Sequence, residues 1–260
     1  MHELAEHDIA LVRADNPGPF TLEGTNTWLV GRDPCWVVDP GPQDTAHVEA
    51  VLAAAGDRGG IAGIVLTHDH ADHAGASEAL RRRAGVPIVA AARFTGADTR
   101  VADGDAVGPL LAVATPGHAP DHLAFVAGRA LFSGDAVLGR GSVFVAPDPG
   151  ALSGYLRALE RLAGLDLAVI CPGHGPLVLD PQAKLTEYRE HRLDRERRLL
   201  AALGSGRRSV EELLDAAWAD VPAVLRPAAA VTLAAHLDKL EEEGRLPAGV
   251  ERPAVPGFAA

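Results

Sequence analysis

The amino-acid sequence predicts an α/β protein in which helices cover β-sheets, followed by a smaller, mostly helical C-terminal module. Short apolar runs bounded by glycine and proline recur between amphipathic segments, which is typical of strands alternating with helices. Histidine and aspartate repeatedly follow these apolar runs. After Leu179 the composition changes to segments with alternating glutamate and arginine, which indicates a separate helical part.

Composition limits the class of protein. With 260 residues, of which 47% are apolar, the chain is long enough for one large domain or two smaller ones and is not expected to be disordered. No apolar run reaches membrane length, and the N-terminal residues carry acids where a signal peptide carries bases, so we expect a cytoplasmic protein without a membrane partner. Cys35 and Cys171 lie in strand-like runs and fit a reducing compartment. The formal net charge of −11 argues against tight electrostatic binding of nucleic acid.

Each predicted element has a local signal. Strands are predicted from apolar, β-branched runs that end at turn residues; they are residues 20–30, 34–39, 61–66, 87–92, 110–115, 123–126, 130–132 and 167–171. Helices are predicted from capping residues and apolar periodicity; they are residues 44–55, 76–84, 152–162, 182–203, 210–219 and 229–243. The glycine- and proline-rich residues 139–149 are interpreted as a loop over a site.

The stretch THDHADHAG leaves the third predicted strand and enters a helix. In an extended turn, residues two apart point the same way, so His68 and His70 can converge on one metal ion. Asp72 and His73 enter the helix and face a neighbouring point. Imidazole nitrogen and carboxylate oxygen suit zinc, and also iron or manganese.

The same pattern recurs along the chain, because five residues each follow a short apolar strand: Asp39, His68, His118, Asp135 and His174. All but His68 have a glycine beside them or one residue away, and glycine lets the backbone approach a ligand closely. Sites in α/β sheets are built where strands end. The five residues are therefore expected to converge on a single site.

These residues resemble the metallo-β-lactamase superfamily. The resemblance is carried by HDHADH at residues 68–73, TPGHAPDH around His118, FSGDAV around Asp135 and CPGHGP around His174. It implies an αβ/βα sandwich with two zinc ions in a cleft between the sheet edges, with iron or manganese as alternatives. It also implies the metal ligands by position: His68, His70 and His118 for the first ion, Asp72, His73 and His174 for the second, and Asp135 bridging both.

The chemistry of the two carboxylates agrees with this reading. Asp135 has two oxygens and could bridge ions about 3.5–4 Å apart. A hydroxide between the ions would form near neutral pH and attack a carbonyl carbon or a phosphorus. Asp72 could also orient that hydroxide, so Asp72 and Asp135 are the predicted catalytic residues. β-Lactamases of the superfamily usually have cysteine where Asp135 stands, which disfavours antibiotic hydrolysis and favours thioesterases, lactonases and nucleases.

Other polar residues have open assignments. Asp39 is expected to accept a hydrogen bond from a ligating histidine, the alternative being a turn aspartate. Asp69 is assigned about equally to a supporting or a purely structural role. His122 is expected to be structural or to support a ligand without binding metal. The remaining histidines are expected at the surface: His2, His7, His47, His191 and His236.

The C-terminal segment predicts three helices and a small wing. Ser209 and Glu212 form a capping-box signature, and residues 245–250 are expected to form a short hairpin arm. The run of charges at residues 195–198 is interpreted as a solvated face, because acids offset the bases. We predict a catalytic domain at residues 1–180, a connecting helix at 181–204 and a winged-helix-like domain at 205–260.

Over nearly its whole length the chain is similar to the β-lactamase-like protein 2 family, through TLEGTNTWLVG, LGRGS, PGHGP, the EHR segment and HLDKLEEEGRL. That resemblance implies a zinc-dependent endoribonuclease acting on single-stranded RNA. The acidic last helix and 4% aromatic content keep a small thioester, ester or lactone, as in glyoxalase II, nearly as favoured. An iron-dependent sulfur dioxygenase and a winged-helix DNA-binding regulator are less favoured. The C-terminal module is expected to pack against the catalytic domain or a second subunit, as in a homodimer.

Overall fold

The computed structural model describes Leu4 and residues 8–254, which form two β-sheets and the helices around them. In the first sheet the strands lie side by side in chain order: β1 Ile9–Arg13, β2 Asn26–Val30, β3 Cys35–Val38, β4 Ile61–Val65, β5 Ile88–Ala90 and β6 Thr99–Arg100. Strands β1 to β3 pair antiparallel, and β3 to β6 pair parallel.

The second sheet contains five strands, in the spatial order β11 Val169–Pro172, β10 Ala130–Gly134, β9 Leu123–Ala127, β8 Leu110–Ala114 and β7 Ala106–Val107. Neighbouring strands pair antiparallel, except that β10 and β11 run parallel. The parallel pair is possible because a long connection that contains a helix separates the two strands in the chain.

The helices lie on the outer faces of the sheets and at the C-terminal end. They are α1 Thr45–Gly56, α2 Ala71–Ala74, α3 Ser77–Ala84, α4 Ala151–Ala163, α5 Pro181–Gly204, α6 Val210–Ala217 and α7 Arg226–Glu242, with a 3₁₀ turn at Ala223–Leu225. Buried side chains of α1 and α3 pack on the first sheet, and those of α4 and α5 pack on the second. The predicted αβ/βα sandwich is therefore confirmed.

The strands are apolar on both faces because each sheet packs against the other sheet on one face and against helices on the other. In β10, Phe132 points into the core between the sheets, whereas Leu131 packs under the helices of the second layer. In β3, Val38 and Val37 divide in the same way between the central core and the first helical layer. Continuous apolar runs, rather than alternating ones, are expected for strands buried on both sides.

Local signals located the long elements better than the short ones. The strand predicted at residues 20–30 begins only at Asn26, because residues 18–22 form a turn closed by an isolated bridge. Strands β1, β6 and β7 were not predicted; β6 and β7 contain two residues each, which is too short to show a period.

The C-terminal helices form their own apolar cluster. The first part of α5 packs on the second sheet through Leu185 and Tyr188, and its last part packs on α6 and α7 through Leu199 and Leu203. The predicted capping box is present, since the side chains and backbone amides of Ser209 and Glu212 bond reciprocally at the start of α6. The domain boundaries within this region stay a prediction.

The predicted hairpin arm at residues 245–250 is wrong. This segment has no strand and contains only a turn at residues 248–249. It is fixed instead by side-chain packing of Leu246 and Val250 on the C-terminal cluster and by a bond from Glu251 N to Arg208 O at 2.9 Å. Pro247 lacks a backbone N–H, so a hairpin here would lose a ladder bond.

Several residues predicted at the surface are buried. His47 is 4% exposed, with Nε2 2.9 Å from Thr27 Oγ1, and His236 is 1% exposed and lies edge-on to Trp218. His191 is half-buried, whereas His2 and His7 lie outside the described residues. The solvated interpretation of residues 195–198 is also wrong for its first two members, Arg195 and Glu196, which are buried and ion-paired. Within Leu4 and residues 8–254, no helix is long and apolar enough to span a membrane.

The packing between the sheets gives a first prediction. Phe132 is fully buried and meets Trp28 edge-on, with ring centroids 6.3 Å apart. We expect Phe132→Ala to lower the free energy of unfolding by about 3–5 kcal/mol, because it leaves a cavity in the central core. Leu179→Ala is the control, since Leu179 is 59% exposed and its loss should stay within about 0.5 kcal/mol. Chemical denaturation measures both; equal stabilities would contradict this account of the core.

Candidate metal centre

The strand ends of both sheets meet in one cleft. In the first sheet, Asp39 follows β3, and His68 follows β4 and Leu66, whose backbone N–H still bonds to β5. In the second sheet, His118, Asp135 and His174 follow β8, β10 and β11. The sheets are joined at this edge by backbone bonds, from Asn26 N to Gly173 O and from Leu123 N to Thr67 O, both 2.8 Å long. The predicted convergence of the five residues is therefore present.

One group of ligand atoms comes from His68, His70 and His118. Their candidate ligand atoms all lie within 4.8 Å of one another, which is close enough for a single metal ion. His118 Nε2 is 3.0 Å from His70 Nδ1. His68 Nε2 is buried and has no hydrogen-bond partner among the described residues. The His68 ring makes edge contacts with the rings of His70 and His118 at centroid distances of 4.5 and 5.1 Å.

A second group comes from Asp72, His73 and His174. His73 Nε2 and His174 Nε2 are 3.1 Å apart, and Asp72 Oδ2 is 3.2 Å from His174 Nε2. The three ligand atoms again lie within 4.8 Å of one another. Asp72 is the most accessible member, with 31% of its side chain exposed, so this group faces the open side of the cleft.

The carboxylate of Asp135 lies between the two groups. Its Oδ2 is 3.6 Å from His118 Nε2, and its Oδ1 is 3.4 Å from Nε2 of both His73 and His174. Each oxygen is thus directed to a different group. Asp135 Oδ1 is buried without a hydrogen bond among the described residues. A carboxylate in this position can join two cations.

The donor set fits divalent metal ions. Zinc–nitrogen bonds of about 2.0–2.1 Å in tetrahedral geometry place ligand nitrogens about 3.3 Å apart, close to the separations of 3.0 and 3.1 Å in the two groups. Buried polar atoms without partners are rare in folded proteins, and here His68 Nε2 and Asp135 Oδ1 both face the cluster. Nitrogen and oxygen donors suit zinc, iron or manganese.

The second ring nitrogen of most of these histidines has its own hydrogen-bond partner. His68 Nδ1 is 2.9 Å from Thr67 Oγ1, and His73 Nδ1 is 2.9 Å from Asp39 Oδ2. For His118 and His174 the partners of Nδ1 are the backbone oxygens of Phe144 and Gly24, at 3.3 and 3.4 Å. Such contacts fix the ring orientation and leave Nε2 for the metal.

Asp39 thus fixes the ring of His73, a candidate ligand, and His122 contacts the backbone of Asp135. Asp39 also accepts from Thr67 N at 2.8 Å and from Thr67 Oγ1 at 2.7 Å. His122 Nε2 accepts from Asp135 N at 3.2 Å, and its Nδ1 bonds Thr115 Oγ1 at 2.7 Å. Both of its nitrogens are used, so it has none left for a metal.

The histidine pKa values shift in opposite directions in the two ligand groups. Burial lowers the pKa of His68 well below its usual value and that of His118 to about 4, so these rings are neutral and available as ligands. Burial would also lower the pKa of His73 and His174, but the neighbouring carboxylates together outweigh it. Asp135 and Asp72 raise the pKa of His174 to about 9, and Asp135 and Asp39 raise that of His73 well above its usual value. A cation binding there must displace a proton.

Glycine is required beside the bridging carboxylate. A Cβ atom on Gly173 would lie 2.6 Å from both Asp135 Oδ1 and His73 Cε1. A Cβ atom on Gly134, which has φ of 47°, would lie 2.4 Å from Thr67 Oγ1. The glycines of the FSGDAV and CPGHGP motifs thus allow the strand ends to approach this closely.

A cavity of about 420 Å³ opens from the metal centre toward the C-terminal helices. His118 and Asp135 are among its lining residues, and the lining is predominantly apolar, with contributions from the loop at residues 139–149. The C-terminal helices α5 to α7 form part of the wall, which includes His191, Arg192 and Trp218. These three residues were not among the predicted site residues. The EHR segment contains two of them, but it served only as a point of family resemblance, and His191 was expected at the surface. Asp69 makes no side-chain hydrogen bond or ion pair within the described part of the chain.

The chain matches known protein families along most of its length. The pattern of the metallo-beta-lactamase superfamily matches residues 20–97 and 93–174, and that of the beta-lactamase associated winged helix domain matches residues 209–247. A Caenorhabditis elegans protein named beta-lactamase-like protein 2 homolog is 34% identical over 254 residues, which cover 91% of this chain and 85% of that protein.

Two further relatives bear on the function and the fold. The atrochrysone carboxyl ACP thioesterase of Aspergillus chevalieri is 34% identical over 237 residues, covering 82% of this chain and 74% of that protein. The crystal structure of a metallo-beta-lactamase family protein from Thermus thermophilus superposes with a TM-score of 0.67 at 26% identity, covering 91% of this chain and 94% of that one.

The contacts of Asp39 give a second prediction. We expect Asp39→Ala to weaken zinc binding by roughly 10–100-fold, because His73 loses the acceptor that orients it. Titration of zinc against a competing chelator measures the affinity. Asp69→Ala is the matched control on the same cleft and should change it little. If Asp39→Ala binds zinc as the unsubstituted protein does, the orienting role is wrong.

Proposed function

We propose that this chain, which belongs to the metallo-beta-lactamase superfamily and is a metal-dependent hydrolase, cleaves thioesters or esters that carry an apolar acyl group. The observation that carries this proposal is the cavity of about 420 Å³ with a mostly apolar lining, which begins at His118 and Asp135. Volumes of this size hold small ligands and fit an acyl chain beside the reacting carbonyl.

The metal ligands of this proposal are the two groups joined by Asp135. We assign His68, His70 and His118 to one zinc ion and Asp72, His73 and His174 to the other. Bound divalent ions would lower the pKa of a coordinated water and polarise the carbonyl group of the substrate. Iron or manganese would suit the same donors, and metal analysis of the purified protein distinguishes them.

The protein residues would position the reactants. The carboxylate of Asp135 lies between the two ligand groups, 3.6 Å from His118 Nε2 and 3.4 Å from His174 Nε2. Its backbone N–H donates to His122 Nε2, which would keep the carboxylate in place. Asp72 lies at the open side of the cleft, where its carboxylate could take up the proton released from the attacking water. The apolar wall would exclude bulk water from the acyl side of the substrate.

Charges on the described surface favour a small acyl substrate over a nucleic acid. Lys239 of α7 pairs with Glu196 at 2.8 Å and with Glu243 at 2.6 Å, and Arg252 pairs with Asp238 and Glu241. The last helix therefore offers few free cations to a phosphate backbone. The same pairing weighs against a DNA-binding regulator.

Cleavage of single-stranded RNA is the second candidate. It is the activity that the resemblance to the β-lactamase-like protein 2 family implies, and a protein of that name is 34% identical over 91% of this chain. The bridging carboxylate would suit a phosphorus centre as well as a carbonyl carbon. Labelled single-stranded RNA therefore belongs in the same assay as the thioesters.

Removal of the bridging carboxylate tests the metal assignment. We expect Asp135→Ala to lower turnover by at least about a thousandfold and to lower bound metal, since neither ligand group keeps its link to the other. Metal content per chain and activity are measured together on soluble protein. Asp166→Ala, at an exposed position in the loop before β11, is the control. Full metal content in Asp135→Ala would show that Asp135 does not bridge the ions.

Filling the cavity tests the substrate class. Ala228 of α7 lines the cavity and belongs to neither ligand group, so we expect Ala228→Trp to raise KM for long acyl thioesters by roughly tenfold or more and to leave metal content unchanged. Val224→Trp, at a position 65% exposed, is the control. Activity is compared on short and long acyl thioesters and on labelled RNA. Cleavage of RNA alone, unaffected by Ala228→Trp, would replace the thioester proposal with the RNA candidate.

A further inference from the structure

The segment at residues 143–146 bonds to the candidate metal centre and also to the C-terminal helices. It follows the glycine-rich start of the loop at residues 139–149 and belongs to no strand. Two of its residues, Val143 and Val145, are buried. The backbone groups of its four residues bond alternately to the C-terminal helices and to the turn that carries His118. The segment is therefore a physical connection between the two.

Two backbone contacts of the segment hold the turn that carries His118. The Nδ1 of His118 lies 3.3 Å from Phe144 O, and Ala146 N donates to Gly117 O at 2.9 Å. The Phe144 ring also contacts the His118 ring, with centroids 4.6 Å apart. Because a carbonyl oxygen can only accept, the contact with Phe144 O places a hydrogen on Nδ1 and leaves Nε2 for a metal ion. The position of Phe144 thus determines the orientation of the His118 ring.

The other two contacts of the segment come from the C-terminal helices. Arg192 of α5 donates from Nη2 to Val143 O, and Thr232 Oγ1 of α7 accepts from Val145 N at 3.4 Å. The Thr232 hydroxyl donates its own hydrogen to Ala228 O at 3.2 Å, so its oxygen remains available as the acceptor for Val145. Arg192 and Thr232 are 2% and 3% exposed, so water does not compete for these bonds.

We propose that the C-terminal helices position the metal ligand His118 through residues 143–146, and that Arg192 and Thr232 are the positioning residues. This inference rests on the metal assignment of the proposed function, and it gives the C-terminal helices a part in metal binding. Groups that orient a ligating histidine contribute to metal affinity, because the ring is then held in the binding geometry before the ion arrives. The two helices act on His118 indirectly, since neither side chain touches its ring.

The connection serves one of the two ligand groups. His118 belongs to the first group, whereas His73 and His174 belong to the second. The Nδ1 atoms of His73 and His174 have their partners in Asp39 and in Gly24 O, which lie outside the segment. Loss of a contact between the segment and the C-terminal helices would therefore weaken binding of one ion and spare the other. A general loss of stability would act on both ions alike.

Substitution of Thr232 tests the connection in the full chain. Thr232→Val keeps the shape of the side chain but removes the oxygen that accepts from Val145 N. We expect the affinity for one of the two zinc ions to fall by roughly tenfold, as is typical when the support of a ligand is lost. Thr232→Ser keeps the hydroxyl and should retain the affinity of the unsubstituted protein. Titration of zinc against a competing chelator measures both binding steps.

The ring N–H signals in NMR spectra of isotope-labelled histidine show which ligand is affected. The hydrogen on His118 Nδ1 should exchange slowly with water, because Phe144 O accepts it. In Thr232→Val this exchange should be faster by roughly tenfold or more, because the contact opens more often. The hydrogen on His73 Nδ1, which bonds Asp39, should exchange at an unchanged rate. The exchange rates need no hydrolysis, so failure of this inference is distinguishable from failure of the proposed reaction.

A matched control separates the contact from general stability. Leu213 of α6 is fully buried in the C-terminal cluster, so Leu213→Ala should lower the free energy of unfolding and leave zinc affinity unchanged. Arg192→Met removes the donor to Val143 O and should weaken the same ion as Thr232→Val; if it does not fold, Thr232→Val decides. Unchanged zinc affinity and exchange in Thr232→Val would overturn the inference. Equal losses in Thr232→Val and Thr232→Ser, or in Thr232→Val and Leu213→Ala, would also overturn it.

Discussion

The carboxylate of Asp39 connects His68 and His73 of the candidate metal centre to the first sheet. It accepts from the backbone and hydroxyl of Thr67 at the end of the next strand and lies 2.9 Å from His73 Nδ1. The same hydroxyl is 2.9 Å from His68 Nδ1. One buried carboxylate thereby sets the rings of both ligand groups, which is possible because β3 and β4 run parallel and end at the same edge.

The C-terminal helices contribute to the shape of the site. The sandwich supplies the candidate metal ligands His118 and Asp135 to the lining of the cavity, and α5 to α7 supply part of its wall. Helix α5 joins the two parts physically, because it packs on the second sheet at its start and on the winged-helix region at its end. Its residue Arg192 holds Val143 O, next to Phe144, whose carbonyl oxygen lies 3.3 Å from His118 Nδ1. Helix α5 and the candidate metal centre are thus linked through two adjacent loop residues.

Buried donor atoms without hydrogen-bond partners characterise the candidate metal centre. Two aspartates and five histidines bring these atoms together, and a divalent cation could satisfy them. The lining of the adjoining cavity is mostly apolar. A substrate with a reactive carbonyl and an apolar acyl group would be complementary to this distribution.

From local signals such as apolar runs, turn glycines and spaced histidines, the sequence by itself predicted an α/β layered fold, a winged-helix region and a cluster of histidines and aspartates at strand ends. The αβ/βα sandwich and the candidate ligands from His68 to His174 followed from the family resemblance of the same motifs. The sequence-based expectations were wrong about the arm at residues 245–250 and about the exposure of His47, His236 and Arg195. Only the tertiary structure decided which polar atoms lack partners and that Arg192 lines the same cavity as Asp135. Burial and charge pairing depend on contacts between residues far apart in the chain, and neither periodicity nor spacing records those contacts.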